Sequence, residues 1–202
     1  MITLAMLRHS VRIALSFVKK EELPLEHLQG VYFDFIDCAT LKLVGTNGQR
    51  IVVVRLSVPH GSMAKDTFFL SAAKCADLLG SFQKAPDKAE VSLFYMPGQI
   101  MVCCGDEVFS ADHTPVEYPD YASIFSRNLS SPYPGKSYNF DYLHEALTIV
   151  APIVDGSVYL DMHTQDYLRM RPGVNKAWPG IIGIDIAIAA LSRTVPTPKE
   201  VV

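Results

Sequence analysis

Leu41-Lys-Leu-Val-Gly-Thr-Asn-Gly-Gln-Arg-Ile-Val-Val-Val-Arg-Leu56 places two apolar, β-branched runs on either side of Asn47-Gly48. Asn-Gly tolerates the positive φ angles of a type I′ turn, so the stretch predicts two antiparallel strands joined by a tight hairpin. Upstream, Val31, Phe33 and Phe35 alternate with Tyr32 and Asp34, the period of a third strand. Before that, Leu7, Val11, Ala14 and Val18 recur at helical spacing between residue 4 and about residue 20. Pro24 is expected in the connection, because proline cannot continue a helix interior. Residues 1 to 57 therefore read as a helix followed by three strands.

The same order returns twice. Phe68 to Leu70 reads as a short strand and Ser71 caps a helix running to about Lys84. Strands follow near 89–96, 99–104 and 107–112, the first two joined by Met96-Pro97-Gly98. A third pass has a helix from about Asp141 to Val150, with Leu143, Leu147 and Val150 on one face. Its strands are expected near 157–162, 166–171 and 180–188, interrupted by Pro172-Gly173 and Asn175. Units repeating at roughly 60 to 65 residues predict a modular α+β architecture in which each helix packs on its own sheet. Residues 128–135, rich in Ser, Pro and Gly, are the expected linker between a two-unit domain (1–127) and a single unit (136–191), and 192–202 is expected to be a flexible tail.

Composition narrows the function classes. A chain of 202 residues with 49% hydrophobic and 19% charged residues is a folded protein with material for one or two cores. A net charge of −3 and a pI near 6.0 exclude a uniformly basic nucleic-acid coat, though not a local basic face. Cys38, Cys75, Cys103 and Cys104 form neither a Cys-x-x-Cys pair nor a Cys/His ligand set, which predicts reduced thiols, no structural zinc and a cytoplasmic setting. Arg8 and Arg12 interrupt the apolar residues near the start, so no leader is expected, and no apolar run is long enough to predict a membrane span.

Four stretches carry a resemblance. Thr46, Gly48, Arg50 and Ile51 resemble the Ala-Thr-Asp-Gly-His-Arg-Leu signature of the bacterial DNA sliding clamp, the β subunit of the replicative polymerase. Leu25 to Phe35, with Leu28 and Gly30, is similar to the Leu-Asn-Gly segment that opens the first strand of that family's middle domain. Glu117-Tyr-Pro-Asp-Tyr121 matches its Phe/Tyr-Pro-Asp-Tyr motif, and the unit beginning at Tyr138-Asn-Phe140 is similar to its last module. The resemblance implies a DNA-clamp fold and a non-catalytic processivity factor that tethers a polymerase or another replication protein to duplex DNA. A clamp protomer has six such modules and closes a twelve-module ring as a dimer. Three modules per chain would then require a homo-oligomer of four.

Helices line the ring in this family, so their solvent faces are the expected DNA contacts. Arg8, Arg12, Lys19 and Lys20 lie on the first helix with His9 and Ser16 beside them and no acid before Glu21, a pattern suited to phosphates read by charge alone. The second helix offers Lys74 and Lys84, diluted by Asp77. The third has Asp141, His144 and Glu145 without Lys or Arg, which predicts that it faces away from DNA. By the motif match, a partner-peptide pocket would include Leu28, Thr46, Gly48, Arg50, Ile51, Pro119 and Ile124, with Ile182 or Ile184 from the last strand. The family's histidine is Gln49 here, and the basic residue two after Tyr-Pro-Asp-Tyr is Ser123, so a different partner, or none, is implied.

Enzyme chemistry finds no support. His9, His27, His60, His113, His144 and His163 have no metal-ligand spacing, and no nucleophile elbow, zincin or phosphate-loop motif occurs. Asp112-His113 and Asp161-Met-His163 are expected to be surface pairs, and no catalytic residue, metal or cofactor is expected. The competing expectation is a reduced clamp relative that never encircles DNA and serves a replication protein as adaptor or inhibitor.

Overall fold

A computed structural model describes residues 2–18, 28–37, 39–58, 67–96, 98–113, 116–126, 138–161, 167–174, 178 and 180–189. The elements run β1 (Ile2–Thr3), α1 (Leu4–Ser16), β2 (Gly30–Asp37), β3 (Thr40–Thr46), β4 (Arg50–Ser57), β5 (Thr67–Ser71) and α2 (Ala72–Ser81). They continue with β6 (Glu90–Met96), β7 (Gln99–Cys104), β8 (Glu107–Asp112), α3 (Tyr121–Ser126), α4 (Phe140–Val150), β9 (Val154–Asp161), β10 (Tyr167–Val174) and β11 (Ile181–Ala189). The architecture is α+β, as the alternating periods predict. The expected linker and tail, together with Pro24, Lys19, Lys20, Cys38, His27, His60 and His163, lie outside the described residues.

Each helix begins where a side chain replaces a missing backbone partner. Thr3 accepts from the Met6 amide, Ser71 from Lys74, and Asn139 from both Asp141 and Tyr142. The first helix stops at Ser16, four residues before the apolar spacing suggests. Phe17 and Val18 close it with bonds back to Ala14 and Leu15, and Phe17 turns fully into the core.

The sheets are not the separate units that the repeats suggest. One has the order β1-β6-β7-β8 and the other β5-β2-β3-β4-β11-β10-β9. The strand that precedes each of the first two helices pairs in the other unit's sheet: β1 with β6 (Ile2 opposite Val91) and β5 with β2 (Leu70 opposite Val31). This reciprocal exchange locks the first two units together. The third unit joins through antiparallel pairing of β11 with β4, from Ile188 opposite Arg50 to Ile181 opposite Leu56. Backbone hydrogen bonds along that seam satisfy what would otherwise be two open sheet edges.

Alternation along β4 divides the two faces. Val52, Val54 and Leu56 join Leu7, Val11, Phe33 and Ile186 in the main core between sheets and helices, whereas Ile51 and Val53 join Val44, Tyr121 and Ala187 on the other face. Helix α1 lies against β3 and β4 so closely that a Cβ at Gly45 would stand 1.9 Å from the Ala14 carbonyl oxygen. Replacing Gly45 by Ala should therefore lift α1 and cost about 3 kcal/mol or more in denaturant melts. Gly80, on α2 with nothing near its missing Cβ, should instead gain about 0.5–1 kcal/mol as Ala.

Candidate functional site

The hairpin loop is wider than a two-residue turn. Thr46 pairs with Ile51, and the Asn47 side-chain oxygen accepts from the amides of Gln49 (3.0 Å) and Arg50 (2.9 Å). Thr46 Oγ1 donates to the Arg50 carbonyl (2.8 Å) and accepts from the Gly48 amide (3.1 Å), while Gly48 takes a left-handed φ, of 85°. Side chains thus supply the bonds that a type I′ turn would make with its backbone. Leu28 is buried beside this loop, 3.6 Å from where a Gly48 Cβ would be.

Adjacent strand residues point to opposite faces, so Arg50 and Ile51 cannot line one pocket. Ile51 joins the outer cluster with Ile124, while Arg50 turns under the sheet toward the helices. Its guanidinium donates to Glu145 Oε2 (2.6 Å) and to the Ser16 carbonyl (2.9 Å), between the rings of Phe17 (5.1 Å) and Tyr142 (4.9 Å). Arg50 therefore ties the end of α1 to α4, a role different from the pocket wall expected of it. Tyr142 also donates to the Gln49 side chain at 2.5 Å, so the residue that replaces the family's histidine is engaged with α4.

Tyr118 and Tyr121 hold α3 across the outer face. Tyr118 stacks on Tyr32 at 4.5 Å and donates to the Val44 carbonyl, and Tyr121 donates to the Asp34 carboxylate. Burial pushes both phenols well above their ordinary range, and Asp34 adds to this at Tyr121. Arg169 donates to the Phe125 carbonyl at the other end of α3. Pro119 is exposed in the turn before the helix, and its carbonyl accepts from the Tyr121 amide. Sequence periodicity does not mark α3, since six residues carry too little of a repeat to detect. Two cavities open on this face: one of about 230 Å³ between Lys42, Tyr121, Phe125 and Asp185, and one of about 430 Å³ beside Tyr159, Trp178 and Ile182. Ile184, the other candidate of the last strand, is buried in the main core.

The expected DNA residues divide. Arg12, Lys74 and Lys84 are exposed. Arg8 is not free for phosphate: it donates to Asp87 (2.8 Å) and to the Phe82 carbonyl, with its side chain only 15% exposed. His9 lies edge-on to Trp178 at 4.5 Å, and burial followed by the Arg12 charge lowers its pKa. On α4 the exposed residues include Asp141, His144 and Glu145, so its surface is acidic as expected. His113 is built into the fold, its Nδ1 accepting from the Phe69 amide. Cys75, Cys103 and Cys104 are free thiols, Cys75 being pushed up to about 12 by burial. Among the described residues no group of three or more His, Cys, Asp or Glu could hold a metal ion, and no helix is long and apolar enough to cross a membrane.

Exchanged first strands, a sheet continued across a unit boundary and helices α1, α2 and α4 gathered on one side define the architecture. Solved structures share it. The DNA polymerase III β subunit of Thermotoga maritima superposes with a TM-score of 0.74 at 11% identity, over 95% of this chain and 65% of that one. The chain has the sliding-clamp fold. The DnaN sliding clamp of Bartonella birtlesii gives a TM-score of 0.71 at 13% identity over 96% and 65%, and the β subunit of Streptococcus pyogenes 0.53 at 19% over 93% and 49%. This chain thus spans about two thirds or half the length of these clamp structures. No protein-family model and no curated protein matches the sequence.

In this clamp-fold chain, Arg50→Ala should destabilise by about 2–4 kcal/mol in chemical denaturation, because it removes bonds to two helices. Glu145→Gln, at a 48% exposed position, should cost about 1 kcal/mol or less. Because the folded state lowers the His9 pKa, the unfolded chain binds more protons just below pH 6.5; stability should be complete above that value and fall as pH drops through it. Melts from pH 5 to 8 should show this loss in the parent protein and a smaller one in His9→Gln.

Proposed function

We propose that this protein is a sliding-clamp-like DNA processivity factor, a homo-oligomeric ring that tethers a polymerase or another replication protein to duplex DNA. The observation that carries the reading is the division of the molecule into two faces. Helices α1, α2 and α4 share the core side of the sheets, and α2 presents Lys74 among the small exposed residues Ala73, Ala76, Gly80 and Ser81, with Lys84 just beyond it. A smooth, thinly charged helical surface suits contact with phosphates without base reading. Lys19 and Lys20 belong to the same proposal. The opposite face carries α3 and the open cavities; apart from those cavities, Leu28, Thr46, Gly48, Ile51, Pro119 and Ile124, around the hairpin loop and α3, are the proposed surroundings of a partner peptide.

Ring closure has a topological basis. β4 finds its outer neighbour in β11, whereas its counterpart in the second unit, β8, ends its sheet among the described residues. β2 and β6 are each covered by an exchanged strand, whereas their counterpart β9 also ends its sheet among the described residues. Tyr159 on β9 is 73% exposed, and so is Phe140 on α4. We infer two self-complementary contacts between copies, one at β8 and one around β9 and α4, which alternate around a closed ring. The acidic face of α4 and the internal engagement of Arg8 favour the second reading, an adaptor that binds a replication protein without encircling DNA.

Retention on nicked circular duplex separates the two. A ring should stay on the circle through a high-salt wash and leave when the circle is cut, whereas an adaptor should show no such dependence on topology. Arg12→Ala with Lys74→Ala and Lys84→Ala should weaken loading and flatten the log–log salt dependence by about 0.9 for each phosphate that is no longer neutralised.

A further inference from the structure

On the outer face, two arginines from different units converge on one carboxylate. Arg55 of β4 approaches Asp185 Oδ2 at 3.0 Å, and Arg171 of β10 donates through Nε to Oδ1 at 2.8 Å. Asp185 itself is 5% exposed, yet the side chains it orients remain accessible, Arg55 at 37% and Arg171 at 62%. Gly183 makes room for this arrangement: a Cβ there would stand 2.4 Å from Arg55 Nη2, so the guanidinium lies along β11 where any other residue would displace it. A third cation, Lys42, sits 5.6 Å from the Tyr121 ring centre in the adjoining cavity. Among the described residues these three cations surround Asp185 and Asp34, and Asp34 already accepts from the Tyr121 hydroxyl.

Both outer cavities are lined in part by Arg55 and Arg171. The larger continues over Trp178, Tyr159 and the 53% exposed Ile182; the smaller is walled by Tyr121 and Phe125. A lone small anion would satisfy the guanidinium donors and leave these apolar walls wet. An extended peptide would use both, because its alternate side chains fall on one side.

We propose that this ridge recognises an extended segment of a partner protein in which an Asp or Glu has apolar or aromatic residues two positions away on either side. The carboxylate bonds to the outward donors of Arg171 and Arg55, and the two apolar side chains that share its face fill the two cavities. Asp185 is a positioning residue, fixing both guanidinium planes before the ligand arrives so that little rotamer freedom is lost on binding. The site is distinct from the Thr46–Ile51 loop and lies on the face opposite α1, α2 and α4; it shares Tyr159 with the proposed β9 contact, while Arg55, Arg171 and the smaller cavity lie on inner strands of the sheet.

Phage-displayed random peptides panned against the full chain test this. Selected sequences should carry an acid with apolar residues two positions away on either side and bind about ten-fold or more weakly to Arg171→Gln, and more weakly still to Arg171→Glu. Arg171 is largely exposed, so Arg171→Gln should melt like the parent; if it does not, Lys42→Ala, which leaves the Asp185 pairs intact, should still weaken binding. Resynthesis with an amidated C-terminus should leave affinity unchanged when the side-chain carboxylate is the ligand and lower it when the terminal carboxylate is. Selection of peptides without an acid, equal binding to Arg171→Gln, no enrichment, or preference for a single-stranded oligonucleotide over the peptides would overturn the proposal. Retention on circular DNA by Arg171→Gln should match the parent, so failure here is separable from failure of the ring.

Discussion

The pairing of β4 with β11 is the constraint on which the rest of the molecule depends. It joins a strand of the first unit to the last strand of the third, and through it seven strands become one sheet. Neither edge would be safe alone, since an open row of amides and carbonyls invites pairing with other chains. Beneath the seam, Arg50 bonds to the end of α1 and to α4; above it, α3 lies across Val44, Ile51, Val53 and Ala187. Both supports bridge the two units the seam joins. Removing either would take away one bridge and leave the strand pairing and the packing of Ile184, Ile186 and Ile188 on Val52, Val54 and Leu56 to hold the third unit.

The seam also separates two kinds of surface. On the helix side, α2 carries Lys74 among small residues, α4 is acidic, and what positive charge α1 has is partly drawn inward by Asp87. On the outer side, charged and aromatic groups are concentrated around Asp185, where strands from two units meet. Neither arginine of that ridge could be placed without the seam, because Arg55 and Arg171 belong to different units. The same pairing that builds the sheet therefore builds the ridge.

Much of the architecture is legible in the chain. The strands of the second unit fall within a residue of their expected places, because each is short, alternating and bounded by turn residues. The pairing of distant elements is not legible: β1 is two residues long, and nothing local announces that Ile2 will lie opposite Val91. Ile51 and Ile124 meet in the outer cluster, but a motif does not assign faces to neighbours. The inward turn of Arg50 follows from strand parity once β4 is known to begin there, and the engagement of Arg8 is not legible because Asp87 is 79 positions away in sequence. The ridge went unread since Arg55, Arg171 and Asp185 have no spacing to mark them; only the register of three strands brings them together.

The central claim is that three units per chain assemble, through edges at β8 and β9, into one closed ring. Light scattering of the full chain, alone and with nicked circular duplex, tests it most directly. Four times the 22.3 kDa chain mass, persisting on the circle, is the predicted result. A monomer or simple dimer at micromolar concentration, unchanged by circular DNA, would contradict it.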